Sequence, residues 1–185
     1  MAPRRGGRRV EADAAGDGQA RVGRLTSERV WQHVTEESFA ILGYVTPSGE
    51  PRTSGVLYKA AGRRLYVVAD SESWKARHIV ANGRVSLTVP VRRGGIMSLM
   101  APIPPATISF PGTAVVHPSH SPQVGPIVEE MASMIPAGKR ATVSVIEIVP
   151  EGTFVTFGLD VPLMKMRDSA AALARVPVAP PGASP

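Results

Sequence analysis

Three apolar runs crowd into residues 39–69, separated by connectors only a turn long, and this limits the topology more than any other feature. Phe39–Val45, 52–59 and 64–69 read as strands, divided by Thr46-Pro47-Ser48-Gly49-Glu50-Pro51 and by Ala60-Ala61-Gly62-Arg63. Pro and Gly preset turn dihedrals, and connectors this short join antiparallel neighbours, since parallel ones need a long crossover. The chain is therefore committed early to an antiparallel sheet.

The flanking segments extend that pattern. Thr26 or Ser27 can cap a short helix that places Val30, Trp31 and Val34 on one face. Ser71 or Ser73 caps a second helix that runs to about Ala81 and stops at Asn82-Gly83. Arg84–Val91 is a fourth strand, and 108–117 a fifth that Pro111-Gly112 is expected to interrupt with a bulge or bend. Val124, Ile127, Val128, Met131 and Ile135 predict a helix around 124–134. Two last strands, 141–149 and 152–158, are expected to pair across Pro150-Glu151, and Asp168 or Ser169 caps a last short helix. Many short strands with few helices predict a mainly β (α+β) domain, and the pattern fits a small barrel.

Composition narrows the function. None of the 185 residues is cysteine, which excludes disulfides, thiolate metal sites and cysteine nucleophiles and suits a reducing cytoplasm. No stretch of some 18 apolar residues is present, so no membrane partner is expected. Arg4, Arg5, Arg8 and Arg9 supply four of the six net positive charges, leaving +2 for the rest. Residues 1–24 carry almost no large apolar side chain and no secretory h-region, and read as a disordered basic arm. No aromatic residue interleaves the arginines, so the expectation is a solvated tail and not a nucleic-acid contact. The folded domain is expected over 25–176, with a disordered tail over 177–185.

The stretch Asp70-Ser71-Glu72-Ser73-Trp74-Lys75-Ala76-Arg77-His78-Ile79 carries the most chemistry. A helix starting there offers free amides, a hydroxyl and a full positive charge to a phosphate. In the alternative, Ser73 only caps the helix while Lys75 and Arg77 face water. On the preceding strand Arg52, Ser54, Val56 and Tyr58 alternate with Thr53, Gly55, Leu57 and Lys59, and Gly55 leaves room for a backbone or flat ligand. The alternative is an edge strand blunted by charge. Segment 94–105 is loop material bearing Ile96, Met97, Leu99, Met100 and Ile103, which fits a pocket lid or dimer packing. His117-Pro118-Ser119-His120 has no third ligand nearby, so no metal is expected. Glu129-Glu130 reads as a solvated face, and no Gly-x-Ser-x-Gly elbow is present.

Gly49-Glu50-Pro51, Val56-Leu57-Tyr58-Lys59, Ser73-Trp74-Lys75-Ala76 and Asn82-Gly83-Arg84-Val85-Ser86-Leu87-Thr88-Val89-Pro90, in that order, resemble the pyridoxamine phosphate oxidase superfamily over residues 39–91. The resemblance implies a flavin-binding split β-barrel, a homodimer with FMN or the related deazaflavin at the subunit interface, and a small-molecule substrate. It implies phosphate or tail contacts on Ser73, Lys75 and strand 54–59, and ring contacts on the main chain of Val68 and Ala69. The oxidase has arginine where this chain has Ser54 and Trp74; Arg52, two residues earlier on the same face, can replace the first. The expected cofactor-binding set is Arg52, Ser54, Val56, Lys59, Val68, Ala69, Ser73, Trp74, Lys75 and Arg77, and no catalytic side chain is assigned. Hydride transfer by an FMN-dependent oxidoreductase is the main reading. A deazaflavin-dependent reductase, and a non-catalytic haem- or flavin-binding barrel, are the alternatives. The Lys75-Ala76-Arg77-His78-Ile79 run resembles the deazaflavin branch.

Overall fold

The computed structural model describes residues 25–93, 104–135, 137–166 and 168–179. Chain order is α1 (Ser27–Glu36), β1 (Phe39–Val45), β2 (Pro51–Ala61), β3 (Arg64–Asp70), α2 (Trp74–Ala81), β4 (Arg84–Val91), β5 (Ala106–Pro118), α3 (Gly125–Glu130), β6 (Val143–Pro150), β7 (Thr153–Phe157), α4 (Ser169–Ala172) and β8 (Leu173–Pro177). The strands order as β4-β1-β2-β3-β6-β5-β7-β8, and β4 also pairs with β5, closing a six-strand antiparallel barrel from which β7 and β8 continue. Closure removes the free edges an open sheet would expose.

The local chemistry explains the elements. Gly62 and Arg63 both have positive φ, at 55° and 59°, so the β2–β3 turn carries the backbone twist that matches its strands. Inward residues of β1 to β6 form one core with Val30, Trp31 and Val34 of α1. The Tyr58 hydroxyl donates to the Val34 carbonyl at 2.6 Å, tying α1 to β2. α2 packs against β5, β1 and β3 at the opposite end of β1, so the two helices stopper opposite ends of the barrel.

Four expectations are corrected. Pro111-Gly112 does not interrupt β5, whose pairing with β4 runs unbroken from Arg84↔Thr113 to Val91↔Ala106. On its other side β5 changes partner there, from β7 at residues 107–109 to β6 at 112–118, so Pro111 has no N–H to waste in the gap. Nor do the last two strands pair with each other. β6 and β7 lie end to end along β5. Only Phe110 and Pro111 separate Ser109 from Gly112, while four residues separate their partners Val155 and Pro150. The excess forms a kink at Gly152, whose φ is +67°, and it turns the strand without reversing it. The helix expected over 124–134 is a six-residue α3 followed by a 3-10 turn at Ala132–Met134.

The C-terminal boundary also moves. β8 pairs with β7, and Val178 is buried. Its carbonyl accepts from Ser27 Oγ at 2.8 Å and Trp31 Nε1 at 3.2 Å, and its N–H donates to the Gly152 carbonyl. The start of the expected tail is therefore part of the fold. The expected basic arm, the rest of that tail and all but the last two residues of the 94–105 loop lie outside the described residues.

Among the described residues, His33 Nε2, His78 Nδ1 and the Thr156 hydroxyl are buried without a hydrogen bond. Thr156 is 1% exposed, and its hydroxyl has no hydrogen bond. An unmet buried hydroxyl costs about 1–3 kcal/mol, so Thr156→Val is expected to stabilise the protein by about 1 kcal/mol. Urea denaturation checks this through a higher midpoint at unchanged slope.

Candidate functional site

The barrel opens where β2 and β3 part. β2 pairs with β3 only from Tyr58↔Val67 to Ala61↔Arg64, while its earlier residues, Pro51 to Leu57, pair with β1. β3 remains paired with β6 out to Asp70↔Val143. From Val68 to Asp70, β3 therefore has no strand partner on its β2 side among the described residues. A main chain with unpaired donors and acceptors is a binding edge for any planar group that carries both.

α2 begins directly beyond that edge. The Asp70 carboxylate accepts from the Glu72 N–H at 2.9 Å, and Ser73 caps the helix, its Oγ accepting from Ala76 N at 3.4 Å. Both bonds fix the connection from the end of β3 into α2, and no acid stands in the first turn of α2. Lys75 is half-buried, and neither it nor Arg77 has an ion pair among the described residues. A helix start with a nearby unpaired cation fits a phosphate group.

The structure distributes the expected residues unevenly. Arg52 and Trp74 line one pocket of 620 Å³ together with Tyr44 and His78. Ser54 Oγ lies 3.3 Å from the Tyr44 hydroxyl. The Arg77 guanidinium lies over the Trp74 ring, 4.4 Å from its centroid. Lys59 is drawn away to Glu130 of α3 at 3.3 Å, and Arg52 is paired with Glu50 at 2.7 Å. Val56 and Ala69 turn their side chains into the core, which leaves only their main chain for a ligand. Val68 is half-buried. The space over Gly55 is taken by the Phe39 ring, whose nearest atom stands 3.1 Å from where a Cβ would sit, so the close approach expected there is made within the chain.

The expected cofactor-binding set contains neither Tyr44 nor His78. The two rings stand 5.9 Å apart, and His78 and Trp74 stand 5.8 Å apart. His78 and Trp74 were legible as i, i+4 neighbours on a helix. Tyr44 reaches them only through the packing of α2 on β1.

A charged cluster lies on β3, β5 and β6. Glu147 accepts from Arg64 and meets His117 Nε2 at 2.8 Å. Burial alone would raise the Glu147 carboxyl, but hydrogen bonds from Arg64 and His117 outweigh it and hold the group below its ordinary value of 4.5. A carboxyl depressed on folding adds stability that is complete above 4.5 and is lost as pH falls through the lower folded value. Stability is therefore expected to fall below about pH 4.5. Glu147→Gln should flatten that acid limb and cost about 1 kcal/mol at neutral pH. Thermal melts from pH 3 to 7 check both.

A closed six-strand antiparallel barrel with short helices and one parted seam is a split β-barrel. The chain belongs to the pyridoxamine 5'-phosphate oxidase family, whose model matches residues 15–156. Among solved structures it is similar to a haem-binding protein from Mycobacterium smegmatis, at 14% identity and TM-score 0.62 over 85% of this chain and 60% of that one. An F420 reductase matches at 18% identity and TM-score 0.50, over 66% of this chain and 93% of that one. An FAD-binding protein from Mesorhizobium loti matches at 18% and 0.52, over 69% and 91%. No curated protein matches the chain. At these identities the structural likenesses speak for the fold alone.

Proposed function

We propose that the protein is a flavin-type oxidoreductase that acts as a homodimer, with the cofactor seated in the cleft between β2 and β3. The observation that carries this reading is the unpaired edge of β3 at Val68 to Asp70, which runs directly into the cap of α2. A bound flavin supplies hydride transfer, so the protein needs neither a nucleophile nor an acid–base dyad. In this reading the main chain of Val68 and Ala69 hydrogen-bonds the ring, Ser73 and the α2 amides receive a phosphate, and Lys75 neutralises it. Ser54 and the Val56 main chain would meet the cofactor tail in this reading. Lys59 would have to leave Glu130 to join them.

The dimer has its own support. Phe39, Ile41 and Leu57 are 43%, 42% and 54% exposed on the outward face of β1 and β2, where Phe39 pairs with Leu57. Adjoining apolar side chains beside a ligand cleft mark an association surface. A second subunit there would exclude water from the cofactor.

A second reading, a deazaflavin-dependent reductase, is favoured by Trp74, which offers a ring where a phosphate-binding arginine would offer charge. Parallel fluorescence titrations with FMN and the deazaflavin test both. Binding of one at micromolar or tighter affinity is the expected result and selects the branch, and binding of neither overturns the redox reading.

A further inference from the structure

The pocket between α2 and the β1–β2 turn is more specific than a cofactor's tail requires. Three rings form one wall: Tyr44 and His78 are 5.9 Å apart between centroids, His78 and Trp74 are 5.8 Å apart, and each pair is tilted by 43°. Trp74 is 69% exposed, although the Arg77 guanidinium lies over its ring and His78 stands beside it. Leaving an indole in water forfeits the burial energy that aromatic side chains usually contribute.

The opposite wall is already fixed. In the turn, Thr46 N donates to the Glu50 carbonyl, Gly49 N donates to the Thr46 carbonyl, and Thr46 Oγ1 lies 2.8 Å from Ser48 Oγ. Arg52 stands beside it, held by Glu50 in a pair exposed on both sides, a contact of small worth that a better acceptor displaces. Arg52 and Glu50 are the charged side chains among the lining residues, so an acidic ligand competes with Glu50 for the one guanidinium. A volume of 620 Å³ is in the range of small-molecule sites.

We infer that this pocket is a ligand site for a planar aromatic anion, its ring stacked on Trp74 beside His78 and its acidic group on Arg52. As the substrate subsite of the proposed oxidoreductase the assignment rests on that reading, while the binding itself does not. The ring platform selects flat conjugated molecules by stacking, and the guanidinium selects carboxylates by a charge-assisted pair.

The test uses the whole chain and 2-naphthoate, with 2-naphthalenemethanol as the uncharged control. Intrinsic fluorescence reports on Trp74, and Trp74→Phe shows which part of the signal is its own, since the other indole, Trp31, is buried. Saturable quenching by naphthoate is expected, with Arg52→Met raising its Kd about tenfold, equivalent to about 1.4 kcal/mol, and leaving the alcohol's weaker binding unchanged. His78→Ala should weaken both probes. Absence of saturable quenching, or binding that survives both Arg52→Met and His78→Ala, overturns the assignment. So does displacement of naphthoate by saturating FMN or deazaflavin, which would give the pocket to the cofactor. If neither flavin binds but naphthoate does, the redox reading fails and the ligand site stands.

Discussion

Phe154→Ala is expected to destabilise the protein by about 3–5 kcal/mol, the largest stability effect of any single substitution considered. The side chain is fully buried, and its ring makes edge contacts with Trp31 at 5.4 Å and Phe110 at 5.2 Å. It thus joins three separate parts of the chain: α1, β5 and β7. Truncation removes the transfer energy of the ring and leaves a cavity that a closed barrel cannot easily collapse around. Against a total stability of about 5–15 kcal/mol for a domain, that is a large share. Urea denaturation should show a much lower midpoint, with Phe154→Leu in between. A loss below 1 kcal/mol would mean that the three rings do not clamp α1 to the barrel.

Much of the fold was legible because it is set locally. β1 and β4 occupy the predicted residues, and Thr26, Ser73 and Asp168 cap their helices, since alternation and capping act within a few residues. Pairing is a different kind of property. Pro150-Glu151-Gly152 has the composition of a hairpin turn, yet β5 lies opposite both flanking strands and draws them into line. β8 passed unnoticed because Leu173-Ala174-Arg175-Val176-Pro177 carries little apolar pattern of its own and becomes a strand through its pairing with β7.

The candidate site divides along the same line. Ser73, Trp74, Lys75 and Arg77 are near neighbours in sequence, so a helix start with its charges could be read directly. The parted seam could not, because it depends on where β2 stops pairing with β3 while β6 continues. Lys59 looked available for a ligand for the same reason that Glu130 looked solvated: the ion pair between them forms only when α3 folds back toward β2.

Under the proposed function, Lys75→Ala is expected to weaken cofactor binding tenfold to a hundredfold, the loss of one charge-assisted contact of roughly 1.5–3 kcal/mol. Stability should barely change. Lys75 has no ion pair among the described residues, and a cation in the first turn of α2 opposes the positive end of the helix dipole. That combination separates a binding role from a structural one, because a scaffold residue would lower the melting temperature along with the affinity. Lys75→Arg should recover most of the affinity by restoring charge, though its fork sits differently from an ammonium. If FMN and the deazaflavin each bind the alanine variant as tightly as the parent, the phosphate is held elsewhere. The cap of α2 would then be only the end of a helix that stoppers the barrel.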